Sequence, residues 1–120
     1  MPGYVDGFVL PIPKKNLAEY LRISRKAGLV WKDHGALEYR ECAGDDVHKK
    51  GIVTFPKSVR LKPGEIVFFS WIVYRSRAHR DRVNKRVLKD PRILKMMQNK
   101  DNPFDMKRMI YSGFRILVDV

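Results

Sequence analysis

The sequence predicts a ferredoxin-like α+β sandwich, in which a four-stranded antiparallel sheet carries helices on one of its faces. Three observations support this fold class. The spacing of apolar residues changes several times along the chain and yields the element order β-α-β followed by β-α-β. The third and the last strand-like segments are apolar on both faces. The chain has 120 residues, of which 44% are hydrophobic, which suits one domain spanning residues 1–120.

The first strand and the first helix follow from local patterns. Tyr4 to Ile12 is apolar and ends at a proline-rich break, as a strand does. Asn16 then resembles an N-cap, and Glu19 three residues later completes a capping-box pattern. Apolar and small residues continue at three- and four-residue steps to about Gly35, where a glycine suits the end of a helix.

The middle of the chain holds two more predicted strands. Residues 36–43 alternate, with Leu37 and Tyr39 on one side and Glu38 and Arg40 on the other. Residues 45–64 are rich in turn-forming residues, so they predict a long connection with a short β-ribbon at 52–55. Residues 65–74 are almost wholly β-branched or aromatic and form the strongest predicted strand.

The last third of the chain predicts two helices and a strand. Ser76 is the expected N-cap of a helix that runs to about Lys89. Its apolar seam is thin and consists of Ala78, Val83 and Val87. An Asp-Pro pair at 90–91 ends that helix and starts a short one through residue 98. Residues 108–119 form the final strand.

The strand pattern also predicts how the protein assembles. One face of the third strand carries Ile66, Phe68, Ser70, Ile72 and Tyr74. The other face carries Val67, Phe69, Trp71 and Val73. Two helices cover only one face of a four-stranded sheet, so the second face would expose a large apolar patch. We therefore predict an obligate homodimer joined sheet to sheet, with Phe68, Ile72 or their opposite-face counterparts in the contact.

An excess of basic residues is the unusual bulk property. The formal net charge is +12, and residues 75–100 contain ten Lys or Arg against two Asp. Such a charge favours attraction to polyanions. It supports an alternative hypothesis, in which the chain is a non-enzymatic interaction protein that binds nucleic acid or an acidic partner. The candidate contacts lie on and beside the second helix: Arg75, Arg82, Arg86 and Lys89.

The composition argues against several classes of protein. No apolar run reaches the roughly 20 residues of a membrane span, so we predict no membrane association. Cys42 is the one cysteine, which forbids an intramolecular disulfide and favours a cytoplasmic location. The sequence has no phosphate-binding glycine loop and no metal-ligand spacing, so we predict neither a cofactor nor a metal.

Several short segments carry a resemblance to a known family. They run in order over nearly the whole chain and include Tyr4-Val5-Asp6-Gly7-Phe8-Val9, Gly44-Asp45-Asp46-Val47, Phe69-Ser70-Trp71-Ile72, Asp90-Pro91-Arg92 and Asp105-Met106-Lys107-Arg108-Met109-Ile110-Tyr111. In these segments the chain resembles the YbaA-like family of small bacterial proteins, which has no settled activity. That family is similar to the dimeric α/β-barrel proteins, whose two sheets face each other across a homodimer. The resemblance implies this fold and, by analogy, cofactor-free monooxygenase or isomerase chemistry.

Four residues form the predicted site for a small organic ligand. Asp6 interrupts the first strand and Arg108 begins the last, so we predict an ion pair that orients the ligand or handles a proton. A purely structural ion pair is the other interpretation. Trp71 and Tyr111 are expected to wall the pocket, although aromatic stripes of this kind also form ordinary core. These residues fit an enzyme and a binding protein equally well.

Overall fold

The computed structural model describes residues 3–98, 103 and 105–120. Its strands are β1 (Tyr4–Pro13), β2 (Glu38–Ala43), β3 (Glu65–Tyr74) and β4 (Ile110–Arg115). Its helices are α1 (Leu17–Asp33), α2 (Phe55–Ser58), α3 (Arg77–Val87) and α4 (Pro91–Met97). Among the described residues, no helix is both long and apolar enough to cross a lipid bilayer.

All four strands belong to one antiparallel sheet with the order β2-β3-β1-β4. The first and last strands are therefore neighbours, and Asp6 on β1 lies opposite Gly113 on β4. On its other side, Asp6 lies opposite Ile72 of β3. Ser70 of β3 lies opposite Phe8 of β1 and Glu41 of β2. This order and register confirm the predicted ferredoxin-like α+β fold.

One face of the sheet, which we call the inner face, is covered by α1 and α3. Side chains of alternate residues point to opposite faces of a strand, so the even-numbered residues of β1 and β3 share the inner face. They pack with the helices in two buried clusters. The first consists of Leu10, Ile12, Tyr20 and Phe68. The second includes Tyr4, Val30, Ile72, Tyr74, Val83 and Val87. Full burial of one such side chain contributes about 1.5–3 kcal/mol.

The opposite face, which we call the outer face, is only partly covered. It carries Val5, Val9, Phe69, Trp71, Val73, Ile110 and Phe114. Phe55 of α2 packs edge-on against Phe69, with ring centroids 5.4 Å apart. Phe69 is nevertheless 42% exposed and Phe114 is 55% exposed. The helices thus take the face of Phe68 and Ile72, and they leave their opposite-face counterparts uncovered.

The ends of the helices follow the local sequence in three places. Ser76 caps α3, because its Oγ accepts a hydrogen bond from the His79 amide at 3.1 Å. Asp90 caps α4 by accepting a hydrogen bond from the Arg92 amide at 2.9 Å. Gly35 follows α1 with φ at +112°, a conformation that favours glycine.

Two local predictions fail in the first half of the chain. Asn16 does not cap α1, because its side-chain amide donates instead to the Pro103 carbonyl at 3.2 Å. A 3₁₀ turn at Lys14–Asn16 leads into the helix. No β-ribbon forms at residues 52–55; Phe55–Ser58 is a short helix, and Pro56 fits its first turn, where no amide donor is needed.

Two further predictions are corrected in the second half. The apolar seam of α3 buries His79, Val83 and Val87, whereas Ala78 is exposed. The final strand is shorter than residues 108–119, since it spans Ile110–Arg115 and a 3₁₀ turn at Met106–Arg108 precedes it. The strand ends at Arg115, opposite Tyr4, the first residue of β1, and one further hydrogen bond joins the Ile116 amide to the Gly3 carbonyl at 2.9 Å.

Candidate functional site

Two adjoining cavities lie between the inner face of the sheet and the helices. One has a volume of about 260 Å³ and contains Glu41 in its wall. The other has a volume of about 220 Å³ and contains Asp6 in its wall. We call them the Glu41 cavity and the Asp6 cavity. They share the apolar residues Phe8, Trp31, Ile72 and Met109.

The Asp6 carboxylate is the most deeply buried charge of the site. Its residue is 1% exposed, and the Tyr111 hydroxyl donates to Oδ1 at 3.1 Å. The guanidinium of Arg80, on α3, lies 3.5 Å from the same oxygen. Burial raises the pKa of Asp6, although Arg80 and the hydroxyls of Tyr111 and Tyr74 act in the opposite direction. A carboxylate with a raised pKa is a stronger base than an ordinary aspartate.

Arg80 links the polar side chains around Asp6. It donates to the Tyr111 hydroxyl at 2.8 Å and to the Tyr4 hydroxyl at 3.2 Å. Its guanidinium also stacks over the Tyr4 ring, 5.0 Å from the centroid. The pKa of Tyr111 is raised by burial and by the neighbouring Asp6 charge, so the hydroxyl keeps its proton and remains a donor to Asp6.

Asn84 supplies a hydrogen-bond donor to the same cavity. Its Oδ1 accepts from the Trp31 indole at 3.0 Å and from the Tyr74 hydroxyl at 3.2 Å. Burial raises the pKa of Tyr74, which keeps that hydroxyl protonated. The Asn84 Nδ2 donates to no described residue. The Tyr74 hydroxyl, which donates to Asn84, also lowers the pKa of Asp6, and both Asp6 and Asn84 line this cavity.

The Glu41 cavity has a different polar group. Tyr20 of α1 donates to Glu41 Oε2 at 2.6 Å. Ser24, one helical turn later, donates to the same oxygen, and Ser70 of β3 donates to Oε1. The Tyr39 hydroxyl contacts Ser24 at 3.1 Å. Burial raises the pKa of Tyr39 to about 12, and burial together with the Glu41 charge raises the pKa of Tyr20.

The structure brings together two of the four predicted ligand-site residues in the Asp6 cavity. Asp6 and Tyr111 are hydrogen-bonded in its wall. Trp71 borders the adjoining Glu41 cavity, but its indole lies on the outer face and donates to Glu38 at 3.1 Å. Phe114 also lies on the outer face, where its ring is 3.6 Å from the position of a Cβ on Gly7. The predicted aromatic wall is therefore divided between two sides of the sheet.

The predicted ion pair between Asp6 and Arg108 is wrong. Arg108 donates to both carboxylate oxygens of Glu65 at 2.8 and 2.6 Å, and to Asp105 at 2.9 Å. The physical reason is the strand register. Asp6 lies opposite Gly113, and Arg108 is five residues away from that position, or roughly 17 Å along an extended chain. Arg80 takes the role that the sequence suggested for Arg108.

Sequence reasoning missed Glu41, Asn84 and Arg80, although each of them leaves a signal in the sequence. In the alternation of β2, Glu41 falls on the same side as Leu37 and Tyr39, so a carboxylate interrupts the apolar side of the strand. Arg80 and Asn84 lie three or four residues from the buried positions of α3, on the edge of its apolar seam. The strand residues that Arg80 and Asn84 contact depend on how α3 packs on the sheet, which the local sequence does not determine.

The candidate nucleic-acid residues form a cationic surface around His79. Arg75, Arg82, Arg86 and Lys89 are all exposed, and none has an acidic partner within 4 Å in the described part of the chain. Three of these arginines, Arg75, Arg82 and Arg86, help to lower the pKa of His79, whose burial is the larger cause. No aromatic side chain pairs with them as a stacking platform among the described residues.

No three His, Cys, Asp or Glu side chains of the described residues are grouped so that they could hold a metal ion. Apart from Arg40, which is paired with Glu38, the polar side chains that line the two cavities are two carboxylates, an amide, several hydroxyls and two indoles. Such a set can accept, donate and transfer protons to an organic molecule.

Comparisons with known proteins agree on family and fold. The sequence model of a family described as "Protein of unknown function (DUF1428)" matches residues 3–106. The chain is 39% identical over 116 residues to the "Uncharacterized protein YbaA" of Escherichia coli K12, covering 97% of each chain. The protein of the same name from Shigella flexneri matches equally well. A crystal structure described as a dimeric ferredoxin-like protein from an uncultured marine organism covers both chains completely, with a TM-score of 0.56 and 13% identity.

Proposed function

The chain belongs to the DUF1428 family, and from the geometry of its own residues we propose that it binds a small apolar carbonyl compound in the Asp6 cavity and moves a proton on it. One observation carries this proposal. A buried carboxylate with a raised pKa lines the same apolar cavity of about 220 Å³ as an amide nitrogen that donates to none of the described residues. A basic acceptor and a donor in one apolar cavity are what proton abstraction beside a carbonyl group requires.

The chemistry assigns a separate role to each side chain. The Asp6 carboxylate takes a proton from the carbon next to the carbonyl, and the electrons of that C–H bond form an enolate. Asn84 Nδ2 donates to the enolate oxygen, where the negative charge develops. Asp6 then returns the proton to the same carbon or to another one, and the second outcome is an isomerisation. Arg80 and Tyr111 are positioning residues that hold Asp6 in place.

An oxygenase variant of this chemistry uses the same first step. Dioxygen would then take electrons from the enolate directly, with no bound cofactor, as the analogy with the superfamily suggests. Consumption of dissolved oxygen separates this outcome from isomerisation, in which oxygen is not consumed.

Hydrogen–deuterium exchange tests the proposal. The purified protein is first examined by native mass spectrometry for retained small molecules. It is then incubated in D₂O with any such compound and with 2-tetralone, an aromatic ketone with acidic hydrogens beside its carbonyl. We expect the protein to accelerate deuterium uptake, and Asp6→Asn to abolish the acceleration while the fold is kept. Equal rates for the two proteins, or no acceleration with any ketone that binds, would overturn the assignment.

We also propose that the protein is a homodimer joined through the outer face. Phe69, Ile110 and Phe114 are each more than 40% exposed on one side of the same sheet. A second copy offers the same apolar surface, so a twofold contact buries both at once. The structural neighbour, described as dimeric, supports this arrangement through its fold. Sedimentation equilibrium at micromolar concentration is expected to give about twice the 14.1 kDa of one chain, and a stable monomer would refute it.

The cytoplasm is the location that we propose. Cys42 has no second cysteine to pair with, so the protein gains nothing from an oxidising compartment. Fractionation of cells that produce a tagged copy checks this location.

A further inference from the structure

Glu41 differs from the other shielded carboxylates of the protein. Six other Asp or Glu residues in the described part of the chain are buried or half-buried, and each has a Lys, Arg or His within 4 Å: Asp6, Glu19, Glu38, Glu65, Asp90 and Asp105. Glu41 is half-buried, and no described cationic side chain lies within that distance. In a chain with a net charge of +12, a shielded carboxylate without a cation stands out.

The hydrogen-bond partners of Glu41 are all neutral hydroxyls, and the one cation that borders the cavity, Arg40, is paired with Glu38 among the described residues. The hydroxyls of Tyr20 and Ser24 donate to its Oε2, and the hydroxyl of Ser70 donates to its Oε1. Hydroxyls satisfy the hydrogen-bonding needs of a carboxylate but leave its charge uncompensated. Two oxygens offer about four acceptor positions, of which three are used, so one more donor can bind.

The walls of the Glu41 cavity suit the rest of a cationic ligand. Phe8, Tyr20, Trp31 and Tyr39 line it, and the rings of Trp31 and Tyr39 lie 6.2 Å apart at an angle of 39°. Aromatic faces attract an ammonium group, and they also cover an apolar substituent. A volume of about 260 Å³ accommodates a molecule with one fused ring system.

We propose that the Glu41 cavity binds a protonated organic amine, with the ammonium group at Glu41 and the apolar body among the four aromatic rings. The ammonium supplies the missing positive charge and donates to the remaining acceptor position of the carboxylate. The site is distinct from the Asp6 chemistry, because it uses a different carboxylate at the other end of the shared apolar wall. Asp6 on β1 and Glu41 on β2 are two strands apart in the sheet, and their positions are offset by two residues along the strands. This geometry separates them by roughly 12 Å.

Three indole compounds that differ in one terminal group test the charge requirement. Tryptamine carries an ammonium, tryptophol a neutral hydroxyl and indole-3-acetate a carboxylate. Isothermal titration calorimetry at pH 7 is expected to show binding of tryptamine, with tryptophol at least about tenfold weaker and indole-3-acetate not binding. Equal binding of tryptamine and tryptophol, or no tryptamine binding at millimolar concentration, would overturn the proposal.

Matched variants locate the site. Glu41→Gln keeps the shape and the acceptor oxygen but removes the charge, so tryptamine should bind at least about tenfold more weakly. Glu38→Gln removes a carboxylate from the same strand, where it is paired with Arg40 and Trp71, and should leave tryptamine binding unchanged. Ser70→Ala removes one hydroxyl but keeps the charge, and should retain the preference for tryptamine. Circular dichroism reports whether each variant folds. An unaffected Glu41→Gln variant would place the amine elsewhere.

Discussion

Asp6 and Tyr111 lie 105 residues apart in the sequence, and the Tyr111 hydroxyl donates to the Asp6 carboxylate at 3.1 Å. The contact exists because the first and last strands are neighbours in the sheet, with Phe8 opposite Tyr111. The two rings of that strand pair also stack, with centroids 4.9 Å apart. A buried charge is thus positioned by the pairing of two strands.

Asp6→Asn is expected to make the protein more stable at pH 7 and inactive in proton transfer. The folded-state pKa of Asp6 is raised, so the folded protein binds this proton more tightly than the unfolded chain does. The contribution of Asp6 to the free energy of unfolding therefore falls as the pH rises from 3.8, the pKa of an ordinary aspartate in the unfolded chain, through the higher pKa of the folded protein. A neutral Asn avoids that loss. Urea unfolding should show a higher free energy of unfolding for the variant at pH 7 and a smaller difference near pH 4.

The control for this measurement is Asp45→Asn, which changes an exposed carboxylate and should shift stability by less than about 0.5 kcal/mol. If Asp6→Asn is less stable than the wild type at pH 7, then the attraction between Asp6 and Arg80 outweighs the cost of burial. That outcome would mark Asp6 as a structural ion pair rather than as a base.

A pH-dependent loss of stability is expected on the acid side of neutrality because of His79. This residue is 5% exposed, and its Nδ1 accepts a hydrogen bond from the Arg75 amide at 2.9 Å. Burial and the nearby Arg75, Arg82 and Arg86 charges lower its pKa below 6.5. The unfolded chain therefore takes up this proton first, and stability falls as pH drops from about 6.5 through the folded pKa.

Urea unfolding at pH 7.5, 6.5 and 5.5 checks this dependence. His79→Asn keeps an acceptor for the Arg75 amide but cannot titrate, so its pH profile should be flatter than that of the wild type. His48→Asn changes an exposed histidine and should keep the wild-type profile. Parallel profiles for the wild type and His79→Asn would show that His79 does not control the acid transition.

Several elements that depend on local contacts agree with the sequence prediction, whereas several contacts between distant residues do not. The bounds of β3 are as predicted, because a run of β-branched and aromatic residues between a Pro-Gly turn and a capping serine has one favourable local structure. Local sequence also predicted the helix caps at Ser76 and Asp90 and the helix end at Gly35. Each of these depends on neighbours within four residues. The expected cap at Asn16 failed because its side chain found a partner 87 residues away.

The site was harder to predict, because its contacts depend on register. Asp6 stood out as a charge in an apolar strand, but its partner lies on a helix whose docking no local pattern determines. Arg108 was the better candidate by sequence, but it lies in the turn before β4, five residues from the position opposite Asp6, and pairs with Glu65 instead. Glu41 was visible as a carboxylate on the apolar side of β2, and its three hydroxyl partners come from two other elements.

The cationic surface around α3 is expected to bind polyanions weakly and with a steep dependence on salt. Arg75, Arg82, Arg86 and Lys89 are exposed, and attraction to phosphates of this kind requires no specific spacing. Fluorescence anisotropy with a labelled DNA duplex should show binding at low ionic strength that is lost near 0.2 M salt. The double variant Arg82→Glu, Arg86→Glu should remove it without unfolding the protein. Binding that persists at high salt would indicate a specific nucleic-acid site.

Phe114→Glu is expected to convert the dimer into a monomer. The Phe114 ring lies over Gly7 on the outer face and is 55% exposed, so the substitution costs little inside one protomer. In a twofold contact through this face, each substitution occurs twice and places two carboxylates in an apolar interface, where unpaired charges are costly. Sedimentation equilibrium should then give a mass near 14.1 kDa instead of about twice that value.

Leu94→Glu is the matched control for this substitution. Leu94 is 44% exposed on α4, away from the sheet, and its replacement adds the same charge without touching the outer face. The Leu94 variant should therefore remain a dimer. Dissociation by both variants would point to an effect of net charge, and a Phe114 variant that stays dimeric would move the interface to another surface. If the Phe114 variant is a monomer and the Leu94 variant is a dimer, the two sheets pack face to face. The two substitutions add the same charge, and the Phe114 substitution is the one that changes the outer face.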